Sequence, residues 1–85
     1  MTLKIERHPE GPGATIRLIG RFQAEHLAEL EKQIRESGSK VVIDLEEVDL
    51  VDVDVVRFLA ICEAQGITLC NCAPYIRDWI GKERD

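Results

Sequence analysis

An α/β fold built on a mostly parallel mixed sheet is predicted by three features of the sequence. The chain opens on two short alternating runs, residues 3–7 and 14–20, separated by a turn rich in proline and glycine. Two later apolar runs, "KVVIDL" (40–45) and "ITLCNC" (67–72), each follow a stretch with helical periodicity. A third helical pattern follows Pro74. The order β-β-α-β-α-β-α implies right-handed crossovers between parallel strands, with the N-terminal hairpin adding one antiparallel strand and the helices wound along the sheet. At 85 residues the chain is expected to form a single small domain, 1–85, with one modest core.

Each element has its own warrant. Residues 3–7 alternate, as a half-buried strand does. In "HPEGPG" (8–13) two prolines fix φ and two glycines permit positive φ, so this segment reads as the turn. "ATIRLIG" (14–20) alternates again and closes a hairpin with the first run. From Ala24 the period changes: Leu27, Leu30 and Ile34 recur as one helical stripe. Glu31 stands four residues before Arg35, the favourable orientation for a pair, and Gly38 is a natural stop. The β-branched, nearly continuous run 40–45 predicts a strand covered on both faces. A second helix is expected over 55–65, ended by Gly66, and another buried strand over 67–72. Pro74 suits a helix start, with Ile76, Trp79 and Ile80 on one face.

Composition narrows the function. Hydrophobic residues make up 45% and charged residues 32% of the chain, an ordinary globular balance. The net charge of −5 argues against nucleic acid and against an anionic membrane surface, both of which would repel it. No apolar run approaches the roughly 20 residues of a membrane span. The segment "MTLKIERHPE" lacks the apolar core of a signal peptide, so a cytoplasmic location is expected. Three cysteines, an odd number without a leader, predict reduced thiols.

Catalytic chemistry is thinly represented, and neither an enzyme nor a cofactor or metal is expected. Gly-rich phosphate loops are absent. Ser37 and Ser39 flank Gly38 in a turn, far in sequence from either histidine. Cys70 and Cys72 would share a strand face near Cys62, but CxC in a strand is poor zinc geometry, and the three read as small buried hydrophobes. His8 in its turn and His26 on a first helical turn read as solvated. The acidic run "DLEEVDLVDVD" (44–54) has no glycine for a calcium loop, and Asp44, Glu46, Glu47 and Asp49 read as solvated loop charges. Asp52 immediately precedes a helix and is a good N-cap; Asp54 falls in the first turn, where the macrodipole favours negative charge. On that helix Val55, Phe58, Leu59 and Cys62 cluster toward the sheet, and Asp54, Arg57 and Ile61 away from it. Ile61 and Val53 thus predict an apolar contact patch.

The segments "RLIGRF" (17–22), "VVIDLEEVDLVDVDVVRFL" (41–59) and "ITLCNCAPYIRDWI" (67–80) resemble a STAS domain, the fold of anti-sigma-factor antagonists and of related domains in sulfate transporters and lipid-transport systems. The family's corner after a strand matches Gly20 to Gln23, and its "DL..V..hDSSGL" pattern matches Asp44-Leu45, Val48 and Leu50 to Val56. The family's last strand and helix have no counterpart. The resemblance sets the helix face of Val53, Asp54, Arg57 and Ile61 beside the Gly20 to Gln23 corner, so a partner-binding surface is expected on Asp52, Val53, Asp54, Arg57, Ile61, Arg21 and Phe22. It implies a protein partner: a kinase-like anti-sigma factor, or alternatively the subunits of a membrane transporter. Val53 stands at the position of the phosphorylated serine, Asp54 at the second hydroxyl and Val55 at the usual glycine, so the serine switch is expected to be missing. Asp54 would carry about one charge where a phosphate carries nearly two.

Overall fold

The computed structural model of the chain describes residues 3–83; Met1, Thr2, Arg84 and Asp85, which the expected domain included, lie outside the described residues. Among the described residues the elements run β1 (Leu3–Glu10), β2 (Gly13–Phe22), a 3₁₀ turn (Ala24–His26), α1 (Leu27–Arg35), β3 (Lys40–Val51), α2 (Val53–Ala64), β4 (Thr68–Cys70) and α3 (Pro74–Glu83). The strands form one sheet in the order β1-β2-β3-β4, antiparallel between β1 and β2 and parallel thereafter. This is the small α/β domain that the element order predicts.

Both crossovers step the same way across the sheet, from β2 to β3 and from β3 to β4. Two right-handed crossovers in one direction put both helices on one face. Burial follows this rule. Ile16 and Leu18 of β2 and Val41, Ile43 and Leu45 of β3 share a single core with Leu30 of α1, Val55, Val56 and Leu59 of α2, and Ile76 and Ile80 of α3. The intervening residues Thr15, Arg17, Ile19, Val42 and Asp44 face the other way and are only half-buried. The expected cover on both faces of 40–45 is therefore corrected to one. The sheet never reverses its strand order, so among the described residues no helix is delivered to the second face.

The hairpin is tighter than the sequence suggests. His8, Pro9 and Glu10 belong to β1, and Glu10 pairs with Gly13, leaving Gly11 and Pro12 as a two-residue loop. Gly11 has φ 56, and Pro12 fixes φ near −65°, the pattern of a II′ turn whose twist suits paired strands.

The acidic run is strand, not loop. β3 stays in register with β2 as far as Phe22↔Val51 by way of two irregularities, between Arg17 and Ile19 and between Gly20 and Arg21. At each of them β3 carries one residue more than β2. Asp44 steadies the first: its Oδ1 accepts from the Glu46 amide at 2.9 Å and from Asn71 Nδ2 at 3.2 Å. Glu47 pairs with Arg17 across the ladder. β4 is shorter than expected and ends at Cys70, because Asn71 turns the chain with φ 55. Cys72 thus lies outside the strand and does not extend a shared face with Cys70.

Candidate functional site

The site assembles where β3 hands over to α2. Val51 is buried and ends the strand; Asp52 follows in extended conformation as the N-cap. Its two carboxylate oxygens do different things. Oδ1 accepts from the Val55 amide at 3.0 Å, capping α2 as the sequence predicts. Oδ2 accepts from the Ala24 amide at 2.9 Å, at the corner that follows β2. One side chain therefore ties two chain segments 28 residues apart. The corner is held a second time by His26, whose Nδ1 accepts from the Gln23 amide at 3.1 Å. His26 is half-buried and structural, not solvated.

This double tie fixes the start of α2 relative to the sheet edge, and the side chains around it point outward. Val53 is 37% exposed, Leu50 47% and Tyr75 51%. Tyr75 leans from α3 onto the end of β3, where its hydroxyl donates to the Asp49 carbonyl at 3.1 Å. Arg21 lies opposite Leu50 in the ladder and is exposed at the same end of the sheet. Asp49 and Asp54 are also exposed here. Phe22 is the exception among the expected contact residues: it is fully buried and supports the surface from beneath. A strand residue that pairs with buried Val51 belongs to the core face.

Arg57, one turn after Val53, reaches α3, where its Nε donates to Glu83 Oε1 at 3.0 Å. Arg77 of α3 in turn meets Glu63 of α2 at 2.8 Å, so the two helices run antiparallel. Ile61 is 56% exposed, as expected. It stands two turns beyond Val53, about 12 Å along the axis. There it lines a shallow groove of about 290 Å³ between α1 and α2, with Ile34, Phe58 and Ile67. Phe58 is half-buried, packing on the core while it lines this groove, and Val56 and Ala60 are buried on α2 as well.

Leu50 and Tyr75 were not predicted as part of this surface. Leu50 had a signal, an apolar residue amid acids. Tyr75 had none, because its place depends on how α3 docks.

The remaining reactive side chains are quiet. Ser37 is buried and its hydroxyl donates to the Gln33 carbonyl. Among the described residues no His/Cys/Asp/Glu group is arranged to hold a metal ion. Cys62 is buried as expected, but Cys70 and Cys72 are only half-buried. Burial, with Glu31 nearby, pushes the Cys62 thiol up to about 11. Burial is also the first cause of the rise at Cys70 and Cys72. Cys62 should thus resist alkylation at pH 8, where roughly one thiol in a thousand is ionised at a pKa of about 11, and should react once denaturant unfolds the chain. Because the folded value lies above the unfolded one, this thiol leaves stability unchanged below pH 9 and lowers it between 9.0 and about 11. Rapid iodoacetamide labelling of native Cys62 would contradict this.

No protein-family model matches the chain, and no curated protein does. No helix among the described residues is long and apolar enough to cross a membrane.

Asp52→Ala removes the cap and frees the Ala24 amide. It is expected to cost about 1–2 kcal/mol, lowering Tm by roughly 5–15 °C for a domain of this size. Asp52→Asn keeps an acceptor and should lose less. Thermal melts of the pair decide between a capping role and a merely solvated carboxylate.

Proposed function

We propose that the chain is a small cytoplasmic STAS-like interaction and regulatory module, similar to anti-sigma-factor antagonists but without their serine switch. The observation that carries this is the Asp52 clamp, which holds exposed Val53 at the first position of α2 beside Leu50 and the β2 corner. An apolar surface fixed by a buried strand end suits recognition, since most of an interface's energy comes from a few central anchors. The surface is rimmed by Asp49, Asp54 and Arg21, so the partner that fits it presents apolar residues flanked by charges of both signs. The element order and the capped helix both support the STAS-like reading.

Residues 50–56 contain no serine, threonine or tyrosine. An antagonist-type serine kinase with labelled ATP should therefore leave this peptide unmodified in the natural chain and label Val53→Ser. Label in the natural peptide would refute the missing switch. Capture from the native cytosol should recover a kinase-like anti-sigma factor; recovery of transporter subunits would replace this reading with that of a transporter accessory subunit.

A further inference from the structure

The two edges of the sheet are unequal. β4 offers three residues, whereas β1 offers an edge eight residues long. Natural edges of that length are usually blunted, and β1 has only one backbone device. Pro9 pairs with Ala14, and a proline in a paired strand turns its missing N–H away from its neighbour. The two-residue loop gives the same phase, since the closing pair Glu10↔Gly13 exchanges its own hydrogen bonds. Odd-numbered residues of β1 therefore direct their backbone groups outward. At Leu3, Ile5 and Arg7 those groups keep their N–H donors.

The side chains of β1 select what can pair there. Ile5 shares a face with buried Leu18, so the odd positions lie toward the helices and the even ones toward the bare face. A second copy related by a two-fold axis can add to this edge only where the residue numbers of each pair sum to an even value, which keeps both helical layers on one side. Pairs summing to eight set Lys4 against Lys4. Pairs summing to twelve set Glu6 against Glu6, and those summing to fourteen set Arg7 against Arg7. Pairs summing to ten set Lys4 against Glu6 twice, Leu3 against Arg7 twice, and Ile5 against itself.

We propose that β1 is a self-recognition edge: two copies pair antiparallel through Leu3 to Arg7 with Ile5 at the two-fold axis, making one eight-stranded sheet. Charge complementarity picks the register, and the half-buried Leu3 and Ile5, which pack on the rim of the core, gain cover from the second copy. Within one copy Lys4 already meets Glu6 at 3.2 Å, with Lys4 68% exposed, so this pair re-forms between strands without new desolvation of a lone charge. The contact is small, at the low end of specific interfaces, and the dimer is weak.

Sedimentation velocity of the full chain from micromolar to millimolar concentration tests it. The natural chain should show concentration-dependent dimerisation. Lys4→Glu and Glu6→Lys, each placing like charges opposite twice per dimer, should each dimerise at least about tenfold more weakly. The double exchange Lys4→Glu/Glu6→Lys should restore dimerisation, and so should mixing the two single variants, whose charges complement each other. Circular dichroism confirms that each variant is folded. A natural chain that stays monomeric at millimolar concentration overturns the proposal, as does a dimer indifferent to the single exchanges.

Discussion

Leu59→Asp is expected to leave the chain unfolded at room temperature, while Ile61→Asp, two residues on, melts like the natural protein. Leu59 is fully buried where α2 meets the sheet, in contact with the single core. Aspartate there forfeits the burial of a leucine, about 2–5 kcal/mol, and places a carboxylate where it finds no partner, adding several more. A domain of this length is stable by only roughly 4–13 kcal/mol, so the loss is comparable to the whole. Ile61 sits on the outer side of the same helix and is more than half exposed. Its substitution should stay within about ±0.5 kcal/mol in stability. Partner affinity should nonetheless fall by more than about 1 kcal/mol if Ile61 is an anchor of the interface. Thermal melts and a binding titration separate the two effects. An Ile61→Asp variant that melts far below the natural chain would mean that the helix is rotated. One that melts and binds normally would exclude Ile61 from the interface.

That contrast was legible in the sequence because α2 is regular. A 100° step per residue places Leu59 and Ile61 on different sides without any knowledge of the sheet. The wheel alone does not say which side of α2 meets α1 and which meets α3, so it does not mark Val56 and Ala60 as buried. Asp52 was readable as a cap from its position alone, but its second bond, to Ala24, depends on where β2 turns. The acidic run was misread for a physical reason. Leu45, Val48 and Val51 are buried at intervals of three, with two exposed or half-buried residues between them. Period three belongs to neither strand nor helix; here it arises because β3 takes an extra residue at each of two irregularities in its ladder. The second face of the sheet was misjudged because "KVVIDL" is continuous. Val42 is apolar, yet no helix reaches it.

Gly13→Ala is expected to be as damaging as a core substitution, although it adds a single methyl group. Gly13 opens β2 and pairs with Glu10 on one side and Lys40 on the other, so it stands at the point where three strands begin to share a ladder. A Cβ at this position would run into the Lys40 carbonyl group, far closer to its oxygen and carbon than real Cβ atoms approach. Neither atom is the end of a side chain that can swing away. The start of β3 must withdraw, and the first pairs with β2, Gly13↔Lys40 and Ala14↔Val41, must part. Overpacking of this kind commonly costs 1–3 kcal/mol and more when the obstacle is backbone; about 3 kcal/mol or more is expected here. For a domain of this size that lowers Tm by more than roughly 12 °C. Gly81 provides the control. It lies in α3 with nothing within 4 Å of an added Cβ. Gly81→Ala should raise stability by about 0.5–1 kcal/mol, because alanine gives up less backbone freedom in a helix than glycine does. The two variants carry the same chemical change, so opposite shifts in Tm would isolate the steric cause at Gly13. A Gly13→Ala variant melting within a few degrees of the natural chain would show that β3 can withdraw from β2 at little cost, and that the parallel ladder is not what holds the hairpin to the rest of the sheet.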